Sequence, residues 1–174
     1  MDEQISEVKK IPRLNFKKDI LPWIALILFG LCMRFFVMPV SVFGISMEPT
    51  YHNEQYVLTN PLYKTLQMNQ TVIVELPRDI AKELGMSKRL IKRIVAMPGD
   101  TVCIKDGYLY VNGEKQESNL PLIKDGGLIE DNEITLKDDE YFVMGDNRNN
   151  SLDSRAIGPV KKDWITATVL FPKK

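Results

Sequence analysis

Apolar and polar positions divide the chain into two regimes. Residues 20–33, ILPWIALILFGLCM, carry no charge, and after Arg34 the apolar character resumes through FFVMPVSVFGI. A helix rises ~1.5 Å per residue, so the run from Ile20 to Val40 is long enough for a hydrocarbon core of roughly 30 Å, and one membrane-spanning helix is predicted over 20–40. Arg34 lies toward its outer end, where a long cationic side chain can snorkel to the headgroups, and Pro39 marks its close. Past this run the pattern is one of short strands and tight turns. Segments 54–60 (EQYVLTN), 70–76 (QTVIVEL), 141–144 and 164–171 are rich in branched and aromatic residues. In 101–115, β-type runs are punctuated by Asp106-Gly107 and Asn112-Gly113, dipeptides that supply positive φ in hairpins. Segment 78–86 (RDIAKELGM) reads as one brief helix, and 116–139, with Pro121 and Gly126-Gly127, as a long connection or an extra hairpin. The fold class predicted is mainly β, a folded-over barrel or sandwich preceded by one transmembrane helix.

Charge adds topology to this picture. The chain carries 23 basic and 23 acidic residues, but Lys9, Lys10, Arg13, Lys17 and Lys18 cluster before the apolar run. The positive-inside rule then predicts a cytoplasmic segment 1–19, an anchor 20–40 and an extracytoplasmic β-rich domain 41–174, in a single-pass protein of the cell membrane. A cleavable secretory signal is the rival reading of the same run. Six basic and four acidic residues precede residue 46, so the remainder is slightly acidic and lacks the basic stripe that nucleic-acid binding needs. Cys32 and Cys103 fall in different regimes and form no metal or redox motif, so neither zinc nor any other cofactor is indicated.

Three clusters could carry chemistry. Ser46, in Gly44-Ile45-Ser46-Met47-Glu48-Pro49-Thr50, stands six residues past the predicted span, where a nucleophile would meet substrates still held in the membrane. Taken alone, a serine near a glycine is a common turn residue. A serine hydroxyl needs a neighbouring base to become nucleophilic near neutrality. The one histidine, His52, lies in a polar turn-like stretch; a lysine serves instead if burial lowers its pKa. In a strand over 90–97, Lys92 shares a face with Leu90, Ile94 and Ala96, while Arg93 faces with Ile91 and Val95. The alternative is an edge strand whose lysine reaches water, and Lys88, at the polar start of the run, is a second candidate. The third cluster, Gly145 to Arg155, holds Asp146, Arg148, Ser151, Asp153 and Arg155, a set able to orient a catalytic group or merely to close a loop. There, Ser151 is placed to exchange a hydrogen bond with the amine of Lys92.

Together these blocks resemble bacterial type I signal peptidases, which use a serine and lysine dyad. Ser46-Met47-x-Pro49-Thr50 matches the nucleophile box, Lys92-Arg93 with Pro98-Gly99-Asp100 the lysine box, and Gly145-Asp146-Asn147-Arg148-x-x-Ser151-x-Asp153-Ser154-Arg155 the third. The spacing to Pro98-Gly99-Asp100 selects Lys92 over Lys88. The resemblance implies removal of signal peptides from exported preproteins at small-x-small sites, with Ser46 as nucleophile and Lys92 as general base. It implies supporting roles for Ser151, Asp153, Arg155, Asp146 and Arg148, with Gly44, Ile45 and Met47 forming the oxyanion and substrate strand. Its implied partners are preprotein signal peptides, membrane lipid and a neighbouring export translocase. Where some members place a serine hydroxyl two positions before the nucleophile, this chain has Gly44, so the Ser46 amide with another backbone N–H or a water is expected to hold the oxyanion. Two other classes compete. A catalytically silent anchored β module would bind export components, and a self-cleaving serine-lysine repressor would need a DNA-binding domain where the anchor stands.

Overall fold

The structure, a computed structural model, describes residues 15–85, 87–116, 123–125 and 127–172, the side chains of 32–35 excepted. Lys9, Lys10, Arg13, Pro121 and Gly126 therefore lie outside the described residues, as do the side chains of Cys32 and Arg34. Two compact units divide the chain, Met1–Phe35 and Phe36–Lys174.

In the first unit a π-helical turn, Phe16–Ile20, leads into helix α1, Leu21–Phe36. Trp23, Leu26, Ile27, Leu28 and Phe29 are all exposed, so α1 is apolar around its circumference and not on one stripe. Its 16 residues reach only ~24 Å, and no helix among the described residues is long and apolar enough to cross a membrane. The expected helix to Val40 is thus corrected: residues Met38–Ser41 form strand β1. Proline at 39 has no N–H to continue a helical ladder, whereas an edge strand tolerates it. β1 is such an edge, pairing only with β2.

The second unit is mainly β, as predicted. Strands β2 (Tyr56–Asn60), β3 (Thr71–Glu75), β4 (Arg89–Ala96), β9 (Glu140–Met144), β10 (Val160–Lys161) and β11 (Ile165–Phe171) join β1 in one open antiparallel sheet, ordered β1-β2-β11-β3-β4-β9-β10. Strands β5 (Thr101–Lys105), β6 (Tyr108–Val111), β7 (Glu114–Lys115) and β8 (Ile134–Thr135) form a smaller one, ordered β7-β6-β5-β8. Both predicted hairpin turns carry positive φ at both residues, Asp106 and Gly107, Asn112 and Gly113. The expected helix over 78–86 is α2, Arg78–Glu83. Part of the segment read as a connection supplies β8, which pairs with β5, and a short α3, Ser154–Ile157, follows the polar loop after β9.

β4 is central, flanked by β3 and β9, and this position buries both of its faces. Leu90 and Ile94 pack with Val72, Val74 and Val143, while Ile91 joins Met47, Tyr51 and Ile73 on another side. The alternation read from the sequence holds through Ile94 and then breaks. Register shifts between Ile94 and Ala96, and Val95 and Ala96 both enter the core under the small sheet, so Ala96 does not share the face of Lys92 as expected. A bulge inserts one residue and reverses the pattern beyond it. Pro98-Gly99-Asp100 then builds the turn into β5: Gly99 has φ 86°, and Asp100 accepts from the Met97 amide and the Asn112 side chain, each at 2.8 Å.

Candidate active site

Three chain segments meet at one hydroxyl. The turn from Gly44 to Tyr51 is pinned from below by Met47, fully buried against Val57, Ile73 and Ile91, which leaves the next residue back, Ser46, half-buried at the surface of that core. From β4, Lys92 extends its Nζ to within 2.7 Å of Ser46 Oγ. Lys92 is 2 % exposed, which rules out the edge-strand reading in which it reaches water. Burial lowers its pKa from 10.5 to about 8; Asp153 and Asp146 oppose that shift, while Arg155 adds to it. A tenth or so of the population is therefore neutral at pH 7 and able to accept a proton.

The rival bases are elsewhere. Lys88 pairs with Glu75 at the exposed start of β4, and His52 is exposed with Glu48 at 3.9 Å. Both are exposed, and neither is hydrogen-bonded to Ser46.

The loop after β9 forms a hydrogen-bonded frame around the pair. Asp153, fully buried, accepts from the Gly145 amide at 2.9 Å and from Arg155 Nε and Nη2 at 2.8 and 2.9 Å, and its Oδ1 caps α3 through the Arg155 amide. Asp146 accepts a two-point contact from Arg93, the neighbour of Lys92, at 2.8 and 2.7 Å. That contact raises the Arg93 pKa and ties β4 to the loop. Ser154 Oγ accepts from the Val143 amide. Two further members of the third block, Asn147 and Gly145, take part, although the sequence assigned them no role of their own. Asn147 donates from its backbone to the Ser46 carbonyl at 3.0 Å and from Nδ2 to the Ile45 carbonyl at 3.1 Å, so it clasps the Ser46 segment. Gly145 is a contact point: a Cβ there would lie 2.4 Å from the Ser46 carbonyl oxygen and 2.2 Å from Ser151 Oγ.

That packing puts Ser151 beside the Ser46–Lys92 pair without completing the hydrogen bond expected of it. Its Oγ is buried and has no partner among the described residues, so the Ser151 to Lys92 contact is not formed here; the ammonium spends its bond on Ser46. Among the described residues no group of His, Cys, Asp and Glu is arranged to hold a metal ion.

The chain has known relatives. A family model described as "Signal peptidase, peptidase S26" matches residues 16–173. The chain belongs to the signal peptidase S26 family. Signal peptidase I of Bacillus amyloliquefaciens is 37% identical over 94% of this chain and 91% of its own. Signal peptidase I S of Bacillus subtilis (strain 168) is 38% identical over 93% of each. Signal peptidase IB of Staphylococcus aureus (strain COL) is 32% identical over 89% of this chain and 90% of its own. A solved signal peptidase I from Enterococcus faecalis V583 is 28% identical, covering 62% of this chain and 97% of that one with a TM-score of 0.47.

Within this S26 chain, Gly44 has a backbone conformation that accounts for a glycine at this position. It has φ 85°, and its amide donates to Asn53 Oδ1 at 2.7 Å, so that N–H is already committed. No atom lies within 4 Å of a Cβ built there, which leaves backbone strain as the only penalty for a side chain. Gly44→Ser is expected to lower stability by about 1 kcal/mol without raising turnover by orders of magnitude. Chemical denaturation and kcat/KM of the variant check both halves.

Proposed function

We propose that the protein is a membrane-bound serine endopeptidase that removes signal peptides from exported preproteins at small-x-small sites. The observation that carries this reading is the 2.7 Å contact between Ser46 Oγ and the buried amine of Lys92. In its neutral form Lys92 takes the Ser46 proton as the hydroxyl attacks the scissile carbonyl, then returns it to the departing amine. The Ser46 amide donates to no group among the described residues and is the donor we assign to the oxyanion; the frame of Asp146, Asp153, Arg155 and Asn147 holds both reacting groups in place. Arg148 and Ser151 close the same loop, and Ile45, 43 % exposed beside the nucleophile, is available to an extended substrate.

Two apolar surfaces support the membrane location. α1 exposes apolar side chains on all sides, which water does not favour; with Lys17 and Lys18 at its entry, snorkelling and local thinning would let so short a helix serve as the anchor. In the second unit Tyr56 and Leu58 alternate with buried Val57 and Thr59, and Phe171 pairs with Leu58, giving the large sheet an exposed apolar face next to its β1 edge. On this reading the N-terminus is cytoplasmic, the body extracytoplasmic, and signal peptides arrive from a nearby translocase.

The test is cleavage of a purified preprotein by the detergent-solubilised full chain, with the cut mapped by mass spectrometry. A single cut after a small-x-small triplet, lost in Ser46→Ala with the fold intact, is expected. An uncut preprotein, or a Ser46→Ala protein that still cuts, would overturn the assignment.

A further inference from the structure

The buried charges beside the dyad do not balance. Among the described residues the buried Arg148 and Arg155 and the half-buried Arg93 lie beside two buried carboxylates, Asp146 and Asp153, whose oxygens are all engaged away from Arg148: Asp146 on Arg93, Asp153 on Arg155 and the Gly145 amide. Arg148 is the cation left over. It is 7 % exposed, and among the described residues its Nη1 reaches only the Met144 sulfur at 3.7 Å and its buried Nε has no partner. Burial pulls its pKa down in spite of the two nearby carboxylates. An uncompensated buried guanidinium is costly, and a bound anion removes that cost.

Room for one exists alongside. An open cavity of about 220 Å³ is lined by Arg148, Arg155, Lys124, Ser151 and Leu152. Asp125 also lines it, but its Oδ1 already accepts from the Gly127 amide, and with Arg155 paired to Asp153 the wall still sets Arg148 and Lys124 against that one carboxylate. Arg155 completes the wall by donating to the Asp125 and Ser151 carbonyls. Ser151 links the cavity to the nucleophile: its side chain and the Ser46 carbonyl close on the same side of Gly145. An extended peptide advances ~3.3–3.6 Å per residue, so a side chain a few positions from a bond held at Ser46 can reach this wall.

We propose that this cavity is a carboxylate subsite, and that its ligand is an acidic side chain of the polypeptide substrate close to the cut. The proposal rests on the endopeptidase reading, and the experiment separates the two. Full-length Ser46→Ala protein in detergent is titrated with fluorescent peptides spanning the cleavage site that carry Glu or Gln at each flanking position in turn. At one position Glu is expected to bind about tenfold more tightly than Gln, a preference worth ~1.4 kcal/mol. Arg148→Met and Lys124→Gln should each reduce that ratio toward one. Should Arg148→Met fail to fold, the exposed Lys124 still reports through its own variant. Equal binding of Glu and Gln peptides at every position would overturn the proposal even if the wild-type enzyme cuts preprotein. If instead acetate or phosphate raises the melting temperature of the parent and not of Arg148→Met, with no Glu preference, the cavity holds a free anion and the substrate assignment is overturned. A preprotein left uncut alongside an intact Glu preference would sink the endopeptidase reading alone.

Discussion

Lys92→Met is expected to abolish cleavage and to make the protein more stable. Both effects follow from one fact, a lysine 2 % exposed in the centre of a sheet. Folding drags its pKa from 10.5 to about 8, so at pH 7 the folded state bears a penalty of about 3 kcal/mol for holding the ammonium out of water. Methionine has similar length and no charge to desolvate. It forfeits the bond to Ser46, about 1 kcal/mol, which leaves a net gain of about 2 kcal/mol and a rise in Tm on the order of 5 °C. The sign depends on pH in a way that identifies the cause. Between about pH 8 and 10.5 the unfolded chain binds more protons at this position than the folded one, so wild-type stability climbs with pH through that window and the advantage of the variant shrinks. Below pH 8 the gap is constant. Activity should fall by at least ~10³-fold, the upper part of the range for removing a general base. For the wild type, kcat/KM should rise with pH to a plateau above about 8, since only neutral Lys92 accepts the proton. Retained cleavage in the variant, or a stability gap unchanged from pH 7 to 10.5, would refute the role or the penalty respectively.

Which parts of this were legible in the sequence depends on how far apart the partners lie. The hairpin turns were readable because Asp106-Gly107 and Asn112-Gly113 set their own backbone angles, whatever the tertiary context. Alternation along 90–97 told which neighbours Lys92 shares but could not tell whether its strand was an edge or a centre. That is decided by β3 and β9, brought in from either side. The run to Val40 misled because apolar residues are needed both in an anchor and in an edge strand, and only the pairing of Met38–Ser41 with residues 56–59 separates them. The bulge after Ile94 left no local mark, so Ala96 was put on the wrong face. The same limit applies to the site. Ser46, Lys92 and the loop to Arg155 were candidates by residue type and were selected only by the family resemblance, whereas the contact of Arg93 with Asp146, 53 residues away, and the clasp of Asn147 on the Ile45 and Ser46 carbonyls are products of the fold. Ser151 shows the converse: a hydroxyl suitable in kind, set beside the dyad, whose hydrogen bond to Lys92 is not made.

Asp153→Ala tests the frame in place of the reacting groups, and its effect should be opposite in sign to that of Lys92→Met. The carboxylate is fully buried and accepts from the Gly145 amide, the Arg155 amide, and Arg155 Nε and Nη2. Removing it strands a guanidinium that is 6 % exposed with only the Asp125 and Ser151 carbonyls as partners. Breaking a buried ion pair from one side costs about 3–5 kcal/mol, and the lost helix cap about 1 more, although the two share one carboxylate and will not add in full. A loss of about 4 kcal/mol in denaturant unfolding is expected. Activity should suffer as well, because Gly145, freed from Asp153, is the residue that packs against the Ser46 carbonyl. What remains should carry a signature in its pH dependence. Asp153 favours the ammonium of Lys92 and Arg155 opposes it, so deleting the negative charge lowers the lysine's pKa further and moves the rise of kcat/KM to lower pH. Asp153→Asn should move the profile the same way with a smaller loss of stability, since the amide keeps the shape and one acceptor. A merely structural aspartate would change the amplitude of that profile and leave its midpoint in place, so an unshifted midpoint in both variants would remove Asp153 from the electrostatics of the dyad.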